Sequence, residues 1–431
     1  MLKKNYYPVF TFVLNISLFI LFYISYIDFV HPLFSYLGFG LSINNSKLLL
    51  SFFIFLLLSF FLTRKIFISS FVIYYYHYFL LLPALILFGV TDLSFEYLLL
   101  YLIPYIIISI FFYFATKNIT PLLFHFPSKF PHVFLLILVV ISFFLLLRMF
   151  LLNFDHINLN LDKIYELRGE VGANINTGVW GYLNNWLPKV FIPIIFIYFY
   201  FKFPSKKFFL LACLLLTYIL IFSLTTHKSY VFFFLFQVLV FLLFRYKSLV
   251  VIPLLIFSLI SISILSFLFL DDIYLSSLTI RRAFFVPAYL SSLYLDFFSN
   301  FDHVYWSNSF LSPFIDYPYS NIYTKLLSDF YWDKSTGTNN GFISVGFMHA
   351  SWFGVLAYTI IFIFMIHFLD RISFFSVDRS FVVLFLSIIP LQILLSSADL
   401  LTALSTHGLF FSLISIPIVL QFLFGSSRSY D

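Results

Sequence analysis

Three residues of this chain are placed to move a proton: His349 in NNGFISVGFMHASWFG, His407 in STHG, and Glu166 in YELR. An imidazole titrates near neutral pH and is the natural general base; a carboxylate is the next choice. Five cations accompany them. Arg168 follows Glu166, Lys228 stands in TTHKS, Arg281 and Arg282 are adjacent, and Arg148 interrupts an apolar stretch. Arginine grips phosphate oxygens through a two-pronged fork, so these cations together describe a cup for a phosphate or pyrophosphate group. Each taken alone also reads as a snorkelling or salt-bridged cation, and a lone membrane histidine is more often a hydrogen-bonding residue between helices. Trp306 and Trp332 interleave with tyrosines, Asn, Ser and Asp, a composition that suits stacking on sugar rings; an aromatic belt at a membrane interface is the plainer reading. No HxxxH, no cysteine cluster, no DxD, no Walker loop and no GxGxxG occurs, so neither a metal nor a nucleotide cofactor is expected. The single Cys213 reads as a small hydrophobe.

Hydrophobic residues make up 62% of the chain and charged residues 10%, with a mean hydropathy of +1.04. Such a chain cannot cover itself with a wetted surface and must use lipid as solvent. Apolar stretches of roughly 20 residues, the length that crosses a bilayer as a helix, fall at 7–27, 46–63, 71–90, 97–115, 133–152, 188–203, 208–224, 230–245, 249–270, 341–369, 380–398 and 403–424. They are apolar all round, without alternation, which predicts helices rather than barrel strands. The expected fold is therefore all-α and polytopic, a single integral membrane domain over 1–431 with about twelve membrane helices. Two connections are long, at about 153–187 and 271–340; long loops usually carry function. The second contains RRAFFVPAYLSSLYLDFF, whose apolar spacing predicts a partly helical segment lying along the interface. No cleavable signal peptide is expected, because the apolar run after Lys3 and Lys4 is too long and lacks a small-residue cleavage site.

The charges sort between alternate breaks. One set of breaks holds most of the 24 Lys and Arg, among them Lys3, Lys4, Lys206, Lys207, Arg245 and Arg371, with only Asp370, Asp378 and Asp431 of the 18 acids. Basic residues are retained on the cytoplasmic side, so both termini are expected there, and the 153–187 and 271–340 segments outside. The net charge of +6 is then a topology signal, and scattered basic residues give no nucleic-acid surface. Cations on the outer side run against that trend, which makes function their default explanation.

The order of these pieces resembles the bacterial oligosaccharide repeat-unit polymerases, the O-antigen and capsule polymerases of Wzy type. The resemblance spans most of the chain. It rests on YELR at 165–168, THKS at 226–229, RRAFFVPAYLSSLYLDFF at 281–298, NNGFISVGFMHASWFG at 339–354 and STHG at 405–408. It implies a GT-C-like glycosyltransferase of the bacterial cytoplasmic membrane that works without metal. Such an enzyme joins polyprenyl-pyrophosphate-linked oligosaccharides on the outer face, building O-antigen, capsule or exopolysaccharide, with a flippase and a chain-length regulator as partner proteins. His349, His407 and Glu166 are then the catalytic candidates; Arg148, Arg168, Lys228, Arg281, Arg282, Asn340, Trp306 and Trp332 are the substrate-binding candidates. Asn339-Asn340 stands where the related ligases open with His-Asn, which argues against a ligase. The alternative from another class is a flippase or transporter of lipid-linked oligosaccharide, which should place ionisable residues in mid-membrane around a cavity.

Overall fold

The computed structural model describes residues 7–63, 65–156, 177–333 and 337–425, whose regular structure is all helical with no strand among them. Glu166 and Arg168 lie outside the described residues. Among the described residues, nine helices are long and apolar enough to cross a membrane: Val9–Leu37, Ile68–Val90, Phe95–Ala115, Phe130–Asn153, Pro204–Thr225, Ser229–Tyr246, Val251–Leu270, Phe342–Ser373 and Val377–Ser396. The shorter apolar helices Asn45–Ser59 and Leu409–Phe424 fall on the stretches read at 46–63 and 403–424. The stretch read at 188–203 falls within an unbroken helical run over 179–202. This is a membrane-embedded, all-helical protein.

The chain gathers into two compact units. One takes the chain up to Asn118, Tyr246–His367 and Leu394–Asp399; the other takes Ile119–Arg245, Phe368–Ile393 and the chain from Leu400.

At the centre of the first unit lies Ile68–Val90, apolar on every side and 94% buried across its membrane window, as a helix without a polar face must be. Gly89 lets Asn45–Ser59 approach it closely: a Cβ there would stand 2.8 Å from the Leu48 Cα. From Phe95–Ala115, the Tyr97 hydroxyl donates to the Ala288 carbonyl at 3.0 Å, and the Tyr101 hydroxyl shares a 2.6 Å hydrogen bond with Ser291. These contacts hold the helix Val286–Asn300 inside the unit. The segment expected along the interface is therefore a core element. Its apolar side chains are mostly buried and the Ser291, Ser292 and Tyr294 hydroxyls find partners within the protein, while Asp296, Ser299 and Asn300 are exposed. Elsewhere the 271–340 segment is helical over Ile273–Ser276, Ser277–Phe285 and Tyr323–Trp332.

The stretch read as one continuous span at 341–369 is two arms. Phe342–Ser373 breaks at Ala350 (φ −156°, ψ 43°) and Ser351 (φ 51°, ψ −142°). In an unbroken helix Gly346 and Gly354 would be about 12 Å apart along the axis. Here a Cβ on Gly354 would stand 2.0 Å from the Gly346 carbonyl oxygen, so the arms fold back on one another, backbone against backbone. The arm 352–373 is still about 33 Å long at 1.5 Å per residue, enough to cross the hydrocarbon.

In the second unit, Gln421 on Leu409–Phe424 clamps the main chain of Phe126, accepting its N–H at 2.6 Å and donating to its carbonyl at 2.7 Å. The Tyr218 hydroxyl donates to the Pro188 carbonyl at 2.9 Å, across from Lys207–Thr225 to the helical run 179–202.

Four π-helical turns widen these helices among the described residues: Tyr26–Val30, Tyr76–Leu81 and Ser277–Phe285 in the first unit, and Leu187–Phe191 in the second. Each carries an ionisable side chain: Asp28, His77, the Arg281-Arg282 pair and Lys189. Such turns recur at functional sites, because the extra residue re-aims its neighbours.

Candidate active site

His349 is the last residue of the arm that precedes the break. The final carbonyls of a helix lack intrahelical partners. Here the chain at 304–306 supplies them: the Val304 N–H donates to the Met348 carbonyl at 3.0 Å and the Tyr305 N–H to the His349 carbonyl at 2.9 Å. The next N–H, that of Trp306, donates to His349 Nδ1 at 3.1 Å. Tyr305 and Trp306 are both held at positive φ, 48° and 57°. Non-glycine residues in that region cost on the order of 1 kcal/mol each and cluster at functional sites.

The side chain of Trp306 returns to the same place. Its ring stacks on His349 with centroids 5.0 Å apart and planes 13° from parallel. Its indole N–H donates to the Tyr358 hydroxyl at 2.7 Å, and that hydroxyl donates to Asp399 Oδ1 at 2.8 Å. His349 Nε2 lies 3.6 Å from the same Oδ1. His349 is fully buried and Asp399 is 5% exposed. All four side chains belong to the first unit.

The hydrogen bonds assign the tautomer. Nδ1 accepts from a main-chain N–H, so the neutral ring carries its proton on Nε2, toward Asp399. The lone pair that a general base would use is thus occupied. The basic atoms of this cluster belong to Asp399; Tyr358 holds that carboxylate by its hydrogen bond, and His349 Nε2 faces it at 3.6 Å without bonding to it. Asp399 and Tyr358 were not singled out in the sequence. The available signal for Asp399 was an acid inside SSADLL, in a short turn between two apolar stretches. Tyr358 had none, being one of 30 tyrosines.

The other candidates fall as follows. Asn340 donates to the Pro287 carbonyl and to Ser291 and Ser344 at 3.0–3.1 Å, while its own carbonyl accepts the Gly341 N–H. Its amide pins Val286–Asn300 to the start of the broken helix. Arg281 folds back onto Ser277 Oγ at 2.9 and 3.1 Å and lies over the Phe34 ring at 4.1 Å, while Arg282 is exposed on the same widened turn. The Trp332 indole donates to the Leu37 carbonyl at 3.0 Å. In the 301–322 loop, Tyr317 and Tyr319 are both pushed up to about 12, chiefly by burial, and so stay protonated donors at neutral pH.

In the second unit, Arg148 lies over the Trp180 ring at 4.7 Å. Lys228 is half-buried after Thr226, which is held at φ 59°. His407 Nδ1 accepts a 2.6 Å hydrogen bond from Lys189 Nζ, so a second histidine has its basic nitrogen occupied. Among the described residues no three His, Cys, Asp or Glu side chains converge on a metal-sized site. No family profile, curated protein or solved structure matches this chain.

Proposed function

We propose that this chain is a glycosyltransferase of the bacterial cytoplasmic membrane, with twelve spans, a GT-C-like arrangement and both termini in the cytoplasm. It polymerises polyprenyl-pyrophosphate-linked oligosaccharide units on the outer face, without metal, for O-antigen, capsule or exopolysaccharide. A flippase delivers its substrate and a chain-length regulator works beside it.

The observation that carries this reading is the buried Asp399 carboxylate, held by Tyr358 and faced by His349 at a strained helix break. In the reaction the bond between the donor sugar's anomeric carbon and the pyrophosphate oxygen breaks. An acceptor hydroxyl oxygen bonds to that carbon, its proton passes to Asp399, and polyprenyl pyrophosphate leaves. The leaving group is already good, so the protein's task is orientation and charge stabilisation. Arg281 and Arg282, in the same unit as Asp399, are the cations assigned to that charge, and Trp306 and Trp332 are assigned to the oligosaccharide.

A second reading, a flippase for the same lipid-linked units, is favoured by two compact units that each hold an ionisable pair, buried His349–Asp399 in one and buried Lys189 with half-buried His407 in the other. Deleting the gene and sizing the surface glycan separates the two. Loss of polymer with single units retained supports the polymerase, and Asp399→Asn at normal expression should reproduce it. Loss of all surface glycan from the deletion overturns it in favour of the flippase.

A further inference from the structure

Lys189 is 4% exposed, on the widened turn Leu187–Phe191. Its ammonium donates to Asn185 Oδ1 at 2.8 Å and to His407 Nδ1 at 2.6 Å. Both acceptors are neutral, and among the described residues no carboxylate lies within ion-pair distance of it. A buried cation ordinarily has a counter-charge. An ammonium has three donors, and two are used. With Nδ1 accepting, neutral His407 carries its other proton on Nε2, and the residue is half-buried.

The surroundings are rigid. The turn 405–408 is fastened to the 179–202 run by the Trp186 indole, which donates to the Ser405 carbonyl at 2.8 Å. The Trp186 ring stacks on Phe411 at 5.2 Å. Gly408, at φ 76°, gives Trp186 the room: a Cβ there would stand 2.9 Å from its Cδ1. Two N–H donors, and a Lys189 with no carboxylate beside it among the described residues, are thus presented on a fixed frame.

We propose that Lys189 and His407 form a binding site for a phosphate-bearing anion, whose oxygens take the third Lys189 proton and the His407 Nε2 proton and supply the missing counter-charge. The site holds whether or not the chain polymerises glycan, because it rests on the second unit's own residues. The test uses the purified full chain. Inorganic pyrophosphate is titrated calorimetrically in detergent, and polyprenyl phosphate binding is followed by native mass spectrometry from phosphatidylcholine nanodiscs. Saturable binding of either probe, weakened about tenfold or more in Lys189→Met, supports the site, since a charge-assisted hydrogen bond and the cation are lost together. Binding of both probes marks a site for the phosphate group itself; binding of the lipid alone marks a lipid headgroup site. His407→Gln should weaken binding less, because its amide restores one acceptor and one donor. Methionine suits the buried position, so Lys189→Met should melt at or above the parent temperature, which guards against a folding artefact. Absence of binding by both probes, or equal binding by Lys189→Met, overturns the proposal. Glycan length is a separate readout, so failure here leaves the polymerase reading to its own test.

Discussion

Removing a lone pair and removing a side chain are different injuries, and His349 lets them be told apart. If the imidazole only positions Asp399, His349→Gln should keep much of the activity: its carbonyl can accept from the Trp306 N–H and its amide can donate toward Asp399. His349→Ala removes both contacts and should lose activity by about 100-fold, within the range general-base catalysis supplies. Asp399→Asn should lose as much or more. Polymer length and turnover of lipid-linked units in membranes check all three; a Gln variant as inactive as Ala would restore His349 to the role of base. At Arg281 the fork matters, because two of its nitrogens already meet Ser277. Arg281→Lys keeps the charge but loses that geometry, so polymerisation should still fall strongly at normal expression; wild-type polymer would remove Arg281 from the site. At this scale the sequence was half legible. Histidines stand out in an apolar chain, so His349 and His407 were easy to find. What their ring nitrogens do depends on a main-chain N–H 43 residues away and on a lysine 218 residues away, which no local pattern encodes.

Helices were readable because hydrophobic length dictates them, and their interruptions were not. GFMHASWFG looks like more of the same apolar run, yet the chain turns back at Ala350–Ser351. Its glycines were legible as close-approach residues; that Gly346 and Gly354 approach each other, rather than a neighbouring helix, follows only from the reversal. Gly354→Ala should therefore force the arms apart. A Cβ facing a carbonyl oxygen at 2.0 Å cannot be absorbed by a side-chain shift, so a loss of about 1–3 kcal/mol is expected. Gly40→Ala, with nothing within 4 Å of its Cβ, is the matched control and should be nearly neutral. Thermal unfolding in detergent compares them; equal melting temperatures would mean that the arms separate without cost.

For the whole molecule, the sorting of basic residues between alternate breaks makes a prediction about sides. In a Cys213→Ser background, Ser299→Cys should react with an impermeant thiol reagent in intact spheroplasts, and Lys206→Cys only after lysis. Both positions are exposed, so access to the reagent depends on the membrane alone. The reverse pattern would invert the topology and put the 271–340 segment on the cytoplasmic side.

Trp306 touches His349 twice, once with its ring and once with its main-chain N–H. Only the first contact depends on what residue stands at 306. A mutational scan of that position would register the loss of stacking and of the Tyr358 bond, and would miss the main-chain donor that fixes the histidine's tautomer. Part of this site is thus inherited as a backbone path rather than as a letter of the sequence. A change at Tyr305 that relaxes the positive φ, while touching no side chain of the cluster, would reset its protonation pattern.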